Sequence, residues 1–187
     1  MDPIINFRNS RAQEMWKFIS STIDFEGKLV VDIGCGYGDF ALLAATHGAE
    51  RVDAIDVNPE ILNHASNRSN GMYPIKFKRI DAENAPLPQG TYDVGFCFSV
   101  LPYTKKPQRL VRRMAYACTI CLIECQYSGD GPGYHFLKGD EDMKMWLLSS
   151  ADFKTVSPIG SSLVEGRDKR RTIWLCSLQE GKNTRNT

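Results

Sequence analysis

Residues 28–40 read KLVVDIGCGYGDF, and residues 51–57 read RVDAIDV. The first stretch starts as a short apolar run of the buried-strand type and breaks into glycines at 34, 36 and 38. The apolar ALLAATH (41–47) that follows has the composition of a helix, stopped by Gly48. A strand, a glycine turn and a helix in that order bring backbone N–H groups to a helix N-terminus, where a ligand can approach closely. The second stretch reads as another strand and ends on Asp56, 22 residues after Gly34. A carboxylate at that distance can accept both hydroxyls of a ribose. Together the two stretches predict a βαβ unit that holds a nucleoside.

The same alternation continues in both directions. Upstream, Asn9 or Ser10 caps a helix whose Met15, Trp16, Ile19, Thr22 and Ile23 share one face, and Gly27 ends it. Downstream, Asn58-Pro59-Glu60 is a helix start, and that helix runs to Ser69 before Asn70-Gly71. PIKFKRI (74–80) and YDVGFCFSV (92–100) read as strands three and four, separated by the loop AENAPLPQGT. A helix over 105–116 turns Leu110, Val111, Met114 and Ala115 inward and leads to CTICLIEC (118–125), apolar on both faces. After the glycine-rich SGDGPGYHFLKGD comes a stripe of Met143, Trp146, Leu147 and Ala151. FKTVSPIG (153–160) and RTIWLCSL (171–178) are two further strands, joined across SSLVEGRDKR with Gly166-Arg167-Asp168 as the tip of a hairpin. Strands alternating with helices predict an α/β fold, a parallel sheet covered on both faces with one antiparallel member. The expected organisation is a single domain over 1–187, with an N-terminal helical segment over 1–27 and a frayed polar tail over 179–187.

Composition agrees with a soluble globular chain: 187 residues, 42% hydrophobic, 24% charged and 10% aromatic. No apolar run approaches the ~20 residues that span a bilayer, and the N-terminus lacks the apolar core of a signal peptide, so a cytoplasmic protein without membrane contact is expected. The net charge of +1 hides a split, with −4 over residues 1–104 and +5 over 105–187. Six cysteines raise the question of disulfides or zinc. Cys118 and Cys121, read on a strand, face opposite ways and do not form a chelating pair. No metal site and reduced core thiols are the expectation.

A dinucleotide fingerprint carries a third glycine at position 39, where this chain has Asp39. A carboxylate there opposes a pyrophosphate at the helix N-terminus. Asp32, Asp39, Asp56 and Asp81 ring the strand tips with negative charge, which suits a cationic cofactor without phosphate. The same Asp39, and the lack of a Tyr-x-x-x-Lys pair after the fourth strand, oppose a nicotinamide oxidoreductase.

VVDIGCGYG (30–38) resembles the acidic-x-Gly-x-Gly-x-Gly signature of the class I, Rossmann-like S-adenosylmethionine-dependent methyltransferases, and the likeness runs over residues 12–178. The resemblance implies a three-layer sandwich around a mostly parallel seven-stranded sheet of order 3-2-1-4-5-7-6, the last strand antiparallel. It implies S-adenosyl-L-methionine as cofactor and S-adenosyl-L-homocysteine as product. By the same likeness Asp32, Gly34, Cys35, Gly36 and Gly38 wrap the methionine part. Asp56, with Val57 beside it, binds the ribose, and Asp81 with Ala82 meets the adenine. Ser99 to Leu101 line the floor beneath the sulfonium, and Arg11 reaches towards the cofactor carboxylate. The family often has Ala-Gly-Phe before the sixth strand. Here Ala151-Asp152-Phe153 stands in its place, with Asp152 read as tolerating left-handed backbone.

The acceptor is less visible. Amino-base methylation in this family resembles Asn/Asp-Pro-Pro-Tyr/Phe after the fourth strand, where this chain has Ser99-Val100-Leu101-Pro102-Tyr103. Base carbon-5 methylation needs a Pro-Cys or Thr-Cys pair, and the sequence has neither. This favours an O, N or S atom of a small-molecule acceptor. The acceptor-side candidates are Tyr103, Glu124, Tyr127, Tyr134 and His135, with His135, Tyr103 and Glu124 read as catalytic. Two alternatives stay open: an RNA or DNA methyltransferase using the basic segments 105–113 and 167–171, and a non-catalytic S-adenosylmethionine-binding partner protein.

Overall fold

The computed structural model describes residues 10–125, 137, 139–164 and 167–178, with the side chains of 10, 163, 164 and 167–170 left aside. In chain order the elements are α1 (Ser10–Thr22), β1 (Leu29–Ile33), α2 (Asp39–Thr46), β2 (Arg51–Asp56), α3 (Pro59–Ser69), β3 (Ile75–Arg79) and β4 (Tyr92–Phe98). A 3-10 turn (Leu101–Tyr103), α4 (Pro107–Ala117), β5 (Cys118–Glu124), α5 (Asp140–Ser150), β6 (Thr155–Val164) and β7 (Arg167–Ser177) follow. The seven strands form one sheet in the order β3-β2-β1-β4-β5-β7-β6, the order implied by the resemblance. Pairings from β3 to β5 are parallel, and β7 runs antiparallel to both β5 and β6.

Alternation along the strands builds two cores, one on each face. Val30, Val94, Phe96 and Phe98 meet α1 and α2 through Met15, Trp16, Ile19 and Ala41. Val31, Ile33 and Cys97 meet α4 and α5 through Leu110, Met114, Met143 and Leu147. Local signals set the helix starts. The Asn58 side chain accepts N–H bonds from Glu60 and Ile61 ahead of Pro59, which caps α3.

The structure corrects several details. SSLV and RDKR continue the ladder of β6 and β7 rather than forming a loop, with Ser161 opposite Thr172 and Val164 opposite Arg167. The expected tip at Gly166 and the tail 179–187 fall outside the described residues. The fourth helix begins at Pro107, two residues later than expected, because proline suits the first helical position. Cys118 sits at the helix-to-strand junction and joins Cys121 in the same core, so the opposite-face expectation fails there. All six cysteines are free and buried. Asp152 does not use left-handed backbone; Asn70 and Ser99 are the described non-glycine residues with positive φ.

Helix α1 lies across β6. A Cβ on Gly160 would sit 2.3 Å from the Phe18 ring, so only hydrogen fits between them. Gly160→Ala is expected to cost about 1–3 kcal/mol by overpacking, read as a lower midpoint in denaturant unfolding at unchanged slope.

Candidate active site

Strand order reverses between β1 and β4, and ligands of open α/β sheets bind outside the carboxyl ends of strands at such a point. There the chain opens into two adjoining lobes that share Gly34 and Phe98. The larger, about 570 Å³, is walled by Asp56, Val57, Asp81, Ala82, Ser99, Val100 and Tyr103. The smaller, about 370 Å³, is walled by Arg11, Asp32, Cys35, Gly36 and Asp39 among others. Every described cofactor-side residue expected from the sequence, apart from Gly38 and the fully buried Leu101, therefore lines one of the lobes. Gly38 precedes α2 as its cap.

The glycine loop is pinned to the second strand. Gly34 and Cys35 donate their N–H groups to the Ile55 carbonyl at 2.8 and 3.0 Å. Gly34 has φ +68°, and a Cβ there would lie 2.3 Å from Cγ2 of Val100. Both backbone conformation and space demand glycine. Gly34→Ala is expected to abolish S-adenosylhomocysteine binding in calorimetry, and Val100→Ala in the same chain to restore it only in part, because the backbone strain remains.

Asp56 is aimed by the loop it faces. Its Oδ2 accepts the Gly36 N–H at 3.0 Å and its Oδ1 the Asn58 N–H at 2.9 Å. A carboxylate offers about four lone-pair sites, so this fixes its orientation and leaves room for two hydroxyl donors. Asp32 is different. It is 2% exposed, and burial pushes its carboxyl up to about 7 despite a backbone hydrogen bond from Ala41. Its Oδ2 has no hydrogen-bond partner among the described residues. A buried carboxyl with an orphaned oxygen calls for a cationic donor.

The expected ring of four bare carboxylates is corrected at two positions. Asp39 forms an ion pair with Arg68 at 2.8 Å, and Arg68 also donates to the Tyr37 carbonyl at 2.5 Å. Asp81 is exposed and closes its own turn, accepting from Asn84 Nδ2 at 2.7 Å and from the Glu83 N–H at 3.0 Å. The Asn84 bond holds the Asp81 carboxyl below the usual range. Selection against a diphosphate therefore rests on Asp32 and Asp56 more than on Asp39. Burial raises the Cys35 thiol well above its ordinary value, so it stays protonated.

Three segments converge on Glu124, which is fully buried. Its Oε2 meets Arg11 Nη2 at 2.6 Å and accepts from Ser99 Oγ at 3.1 Å, while its Oε1 lies 3.5 Å from Arg171 Nη1. Ser99 Oγ also accepts from Arg11 at 3.2 Å and from Arg171 at 2.9 Å. The Ser99 backbone, at φ 59°, is left-handed, and its N–H donates to the Glu124 carbonyl. Glu124, read from the sequence as catalytic, is thus committed to two guanidiniums and suits a positioning role. Tyr103 stands at the rim of the larger lobe, 76% exposed. Tyr127, Tyr134 and His135 lie outside the described residues. Sequence reasoning missed Arg68, and it read Arg113 and Arg171 as parts of the basic segments 105–113 and 167–171; the partners of all three are tens of residues away and carry no local signal. Among the described residues no group of three or more His, Cys, Asp or Glu side chains could hold a metal ion, and no helix is long and apolar enough to cross a membrane.

Residues 30–119 match the family described as a methyltransferase domain. The chain is 29% identical over 100 residues to the ubiquinone biosynthesis O-methyltransferase of Coxiella burnetii, covering 53% of this chain and 42% of that one. It is 36% identical over 89 residues to an rRNA N(6)-adenosine-methyltransferase of Caenorhabditis elegans, covering 44% and 42%. The chain thus spans about two fifths of the length of these curated relatives. The magnesium protoporphyrin IX methyltransferase of Synechocystis, solved with bound S-adenosylmethionine, shares the fold at a TM-score of 0.70 and 16% identity, over 91% of this chain and 78% of that one. The cofactor of that family fits the residues present, since the orphaned oxygen of Asp32 suits an ammonium and the aimed carboxylate of Asp56 suits ribose hydroxyls. Sheet order, glycine loop and the methyltransferase domain matched over residues 30–119 support a class I, Rossmann-like S-adenosylmethionine-dependent methyltransferase.

Proposed function

We propose that the protein moves the methyl group of S-adenosylmethionine to an O, N or S atom of a small-molecule acceptor. One observation carries the reading: a buried carboxyl at Asp32, one oxygen of which has no partner among the described residues, and a backbone-aimed carboxylate at Asp56 flank one glycine loop. Bound S-adenosylmethionine supplies an electrophilic methyl on a sulfonium. The chain's own residues then have to bind, align and keep out water. Asp32 would face the ammonium, Arg11 the carboxylate, Asp56 the ribose, and Asp81 with Ala82 the adenine. Ser99, locked by Glu124, would hold the floor, while Phe98 and Val100 supply apolar walls. A base is needed only where the acceptor must lose a proton; His135 and Tyr103 are the side chains proposed for acceptor contact.

Two observations favour a small acceptor over nucleic acid. The ubiquinone relative acts on a small molecule by its name. Both basic segments also lose a cation to the interior: Arg113 donates to the carbonyls of Ala82 and Ala85, and Arg171 to Ser99. A cytoplasmic setting agrees with six unpaired thiols. The test is a panel of small phenols, amines, thiols and carboxylates, alongside RNA and DNA, incubated with methyl-labelled cofactor. Label on a small molecule is expected. Label on nucleic acid, with binding that weakens steeply in salt, would replace the acceptor class, and bound cofactor with label nowhere would favour a non-catalytic partner protein.

A further inference from the structure

The larger lobe has two facing walls that come from different parts of the chain. Asp81–Glu83 form one, where the adenine is placed, and Ser99–Thr104 form the other, which carries Tyr103. Two side chains tie these walls together. The Glu83 carboxylate accepts the Lys105 N–H at 3.1 Å through Oε2 and the Lys106 N–H through Oε1. Those two residues lead directly into α4, whose cap residue Lys106 makes no side-chain cap bond and whose first turn holds no acid. Glu83 therefore does from a distance what a local cap does, supplying acceptors and negative charge at a helix N-terminus. In the other direction, Arg113 of α4 donates through Nη1 to the carbonyls of Ala85 at 2.7 Å and Ala82 at 3.3 Å. The contacts close a ring: loop 82–85, Glu83, residues 105–106, α4, Arg113 and back to the loop.

The segment that joins this ring to Tyr103 is stiff. Tyr103 donates its N–H to the Val100 carbonyl, and Thr104 donates both its N–H and its hydroxyl to Leu101. A displacement at 105 therefore carries Tyr103 with it instead of being absorbed between them. We infer that Glu83 and Arg113 are paired positioning residues that couple occupancy of the adenine wall to the placement of the acceptor wall at Tyr103. The inference rests on the cofactor reading above. Neither side chain is asked to touch a reacting atom. Their effect is to make the acceptor wall settle when the nucleoside does.

Hydrogen exchange on the full chain, with and without S-adenosylhomocysteine, tests this. In the wild type the ligand is expected to slow exchange of the Lys105 and Lys106 amides by more than tenfold. Arg113→Met, a residue that does not line the lobe, should still bind the ligand, within about tenfold of wild type by calorimetry, yet lose that ligand-dependent slowing. Glu83→Ala should lose the slowing too, and Glu83→Gln, which keeps one acceptor oxygen, should recover part of it. If Arg113→Met does not fold, Glu83→Ala cuts the ring at its other arm and should lose the same response. A merely structural cap would change exchange equally with and without ligand. Wild-type protein that binds ligand while leaving the 105–106 amides unchanged overturns the coupling alone. Wild-type protein that binds none overturns the cofactor reading and the coupling with it.

Discussion

Asp56→Ala is expected to weaken S-adenosylhomocysteine binding about a hundredfold, and by more than tenfold at the least, measured by titration calorimetry. Hydrogen bonds to a charged group contribute about 1.5–3 kcal/mol each, and two ribose hydroxyls would use this one carboxylate. The loss does not stop at the ligand. Gly36 and Asn58 each give their N–H to Asp56, so the substitution leaves two loop amides without their acceptor. Asp56→Asn removes part of this. It keeps an acceptor oxygen for one of the two backbone amides and sets an NH2 against the other, so the loop is half held. Its affinity should fall between wild type and Asp56→Ala. Equal affinity for all three chains would remove Asp56 from the site.

Asp32→Asn is expected to make the ligand-free protein more stable at pH 8 while weakening ligand binding more than tenfold. Burial raises this carboxyl from 3.8 to about 7 in the folded chain. Between those values the folded state holds a proton that the unfolded chain has released. Stability from this group is therefore full below about 4 and is lost as pH rises through about 7, a difference on the order of a few kcal/mol. The amide has no proton to lose, so melting temperature should vary less between pH 5 and 8 in the variant than in the wild type. The ammonium of the ligand reverses the sign for binding. It favours the ionised carboxyl, so wild-type affinity for S-adenosylhomocysteine should rise from pH 6 to pH 8 with proton release, and Asp32→Asn should lose that rise. A stabilised chain with weaker binding is the outcome expected where a site holds an unfavourable buried group for its function. An unchanged pH profile in the variant would show that another group titrates.

Much of the fold was legible because its signals are local and periodic. The apolar run before Gly34, the acid closing β2 and the Asn58-Pro59 helix start each announce their element within a few residues. The hairpin was read too short because SSLV and RDKR are polar at the outer end of the sheet and show no apolar alternation, although the ladder continues through them. The Cys118–Cys121 reading failed for a related reason: a strand period was applied across a junction where the helix has only just ended. At the site, the residues that line the lobes follow from the ends of the strands, and a sequence can place those. The residues that hold the lining in place do not. Arg68 reaches Asp39 across 29 positions, and Arg171 reaches Ser99 across 72. Such pairs are fixed by the topology, and only the folded sheet brings them together. Asp39 shows the consequence. From the sequence it is one of four repelling acids; in the structure Arg68 neutralises it, and the demand for a cation narrows to Asp32.

The most direct test of the central claim is a crystal structure of the protein grown with S-adenosylhomocysteine. The nucleoside should lie in the larger lobe with its ribose hydroxyls on Asp56, and its ammonium should lie beside Asp32 in the smaller one. Ligand bound elsewhere, or a crevice without density from protein that solution titration shows to be saturated, would contradict the account.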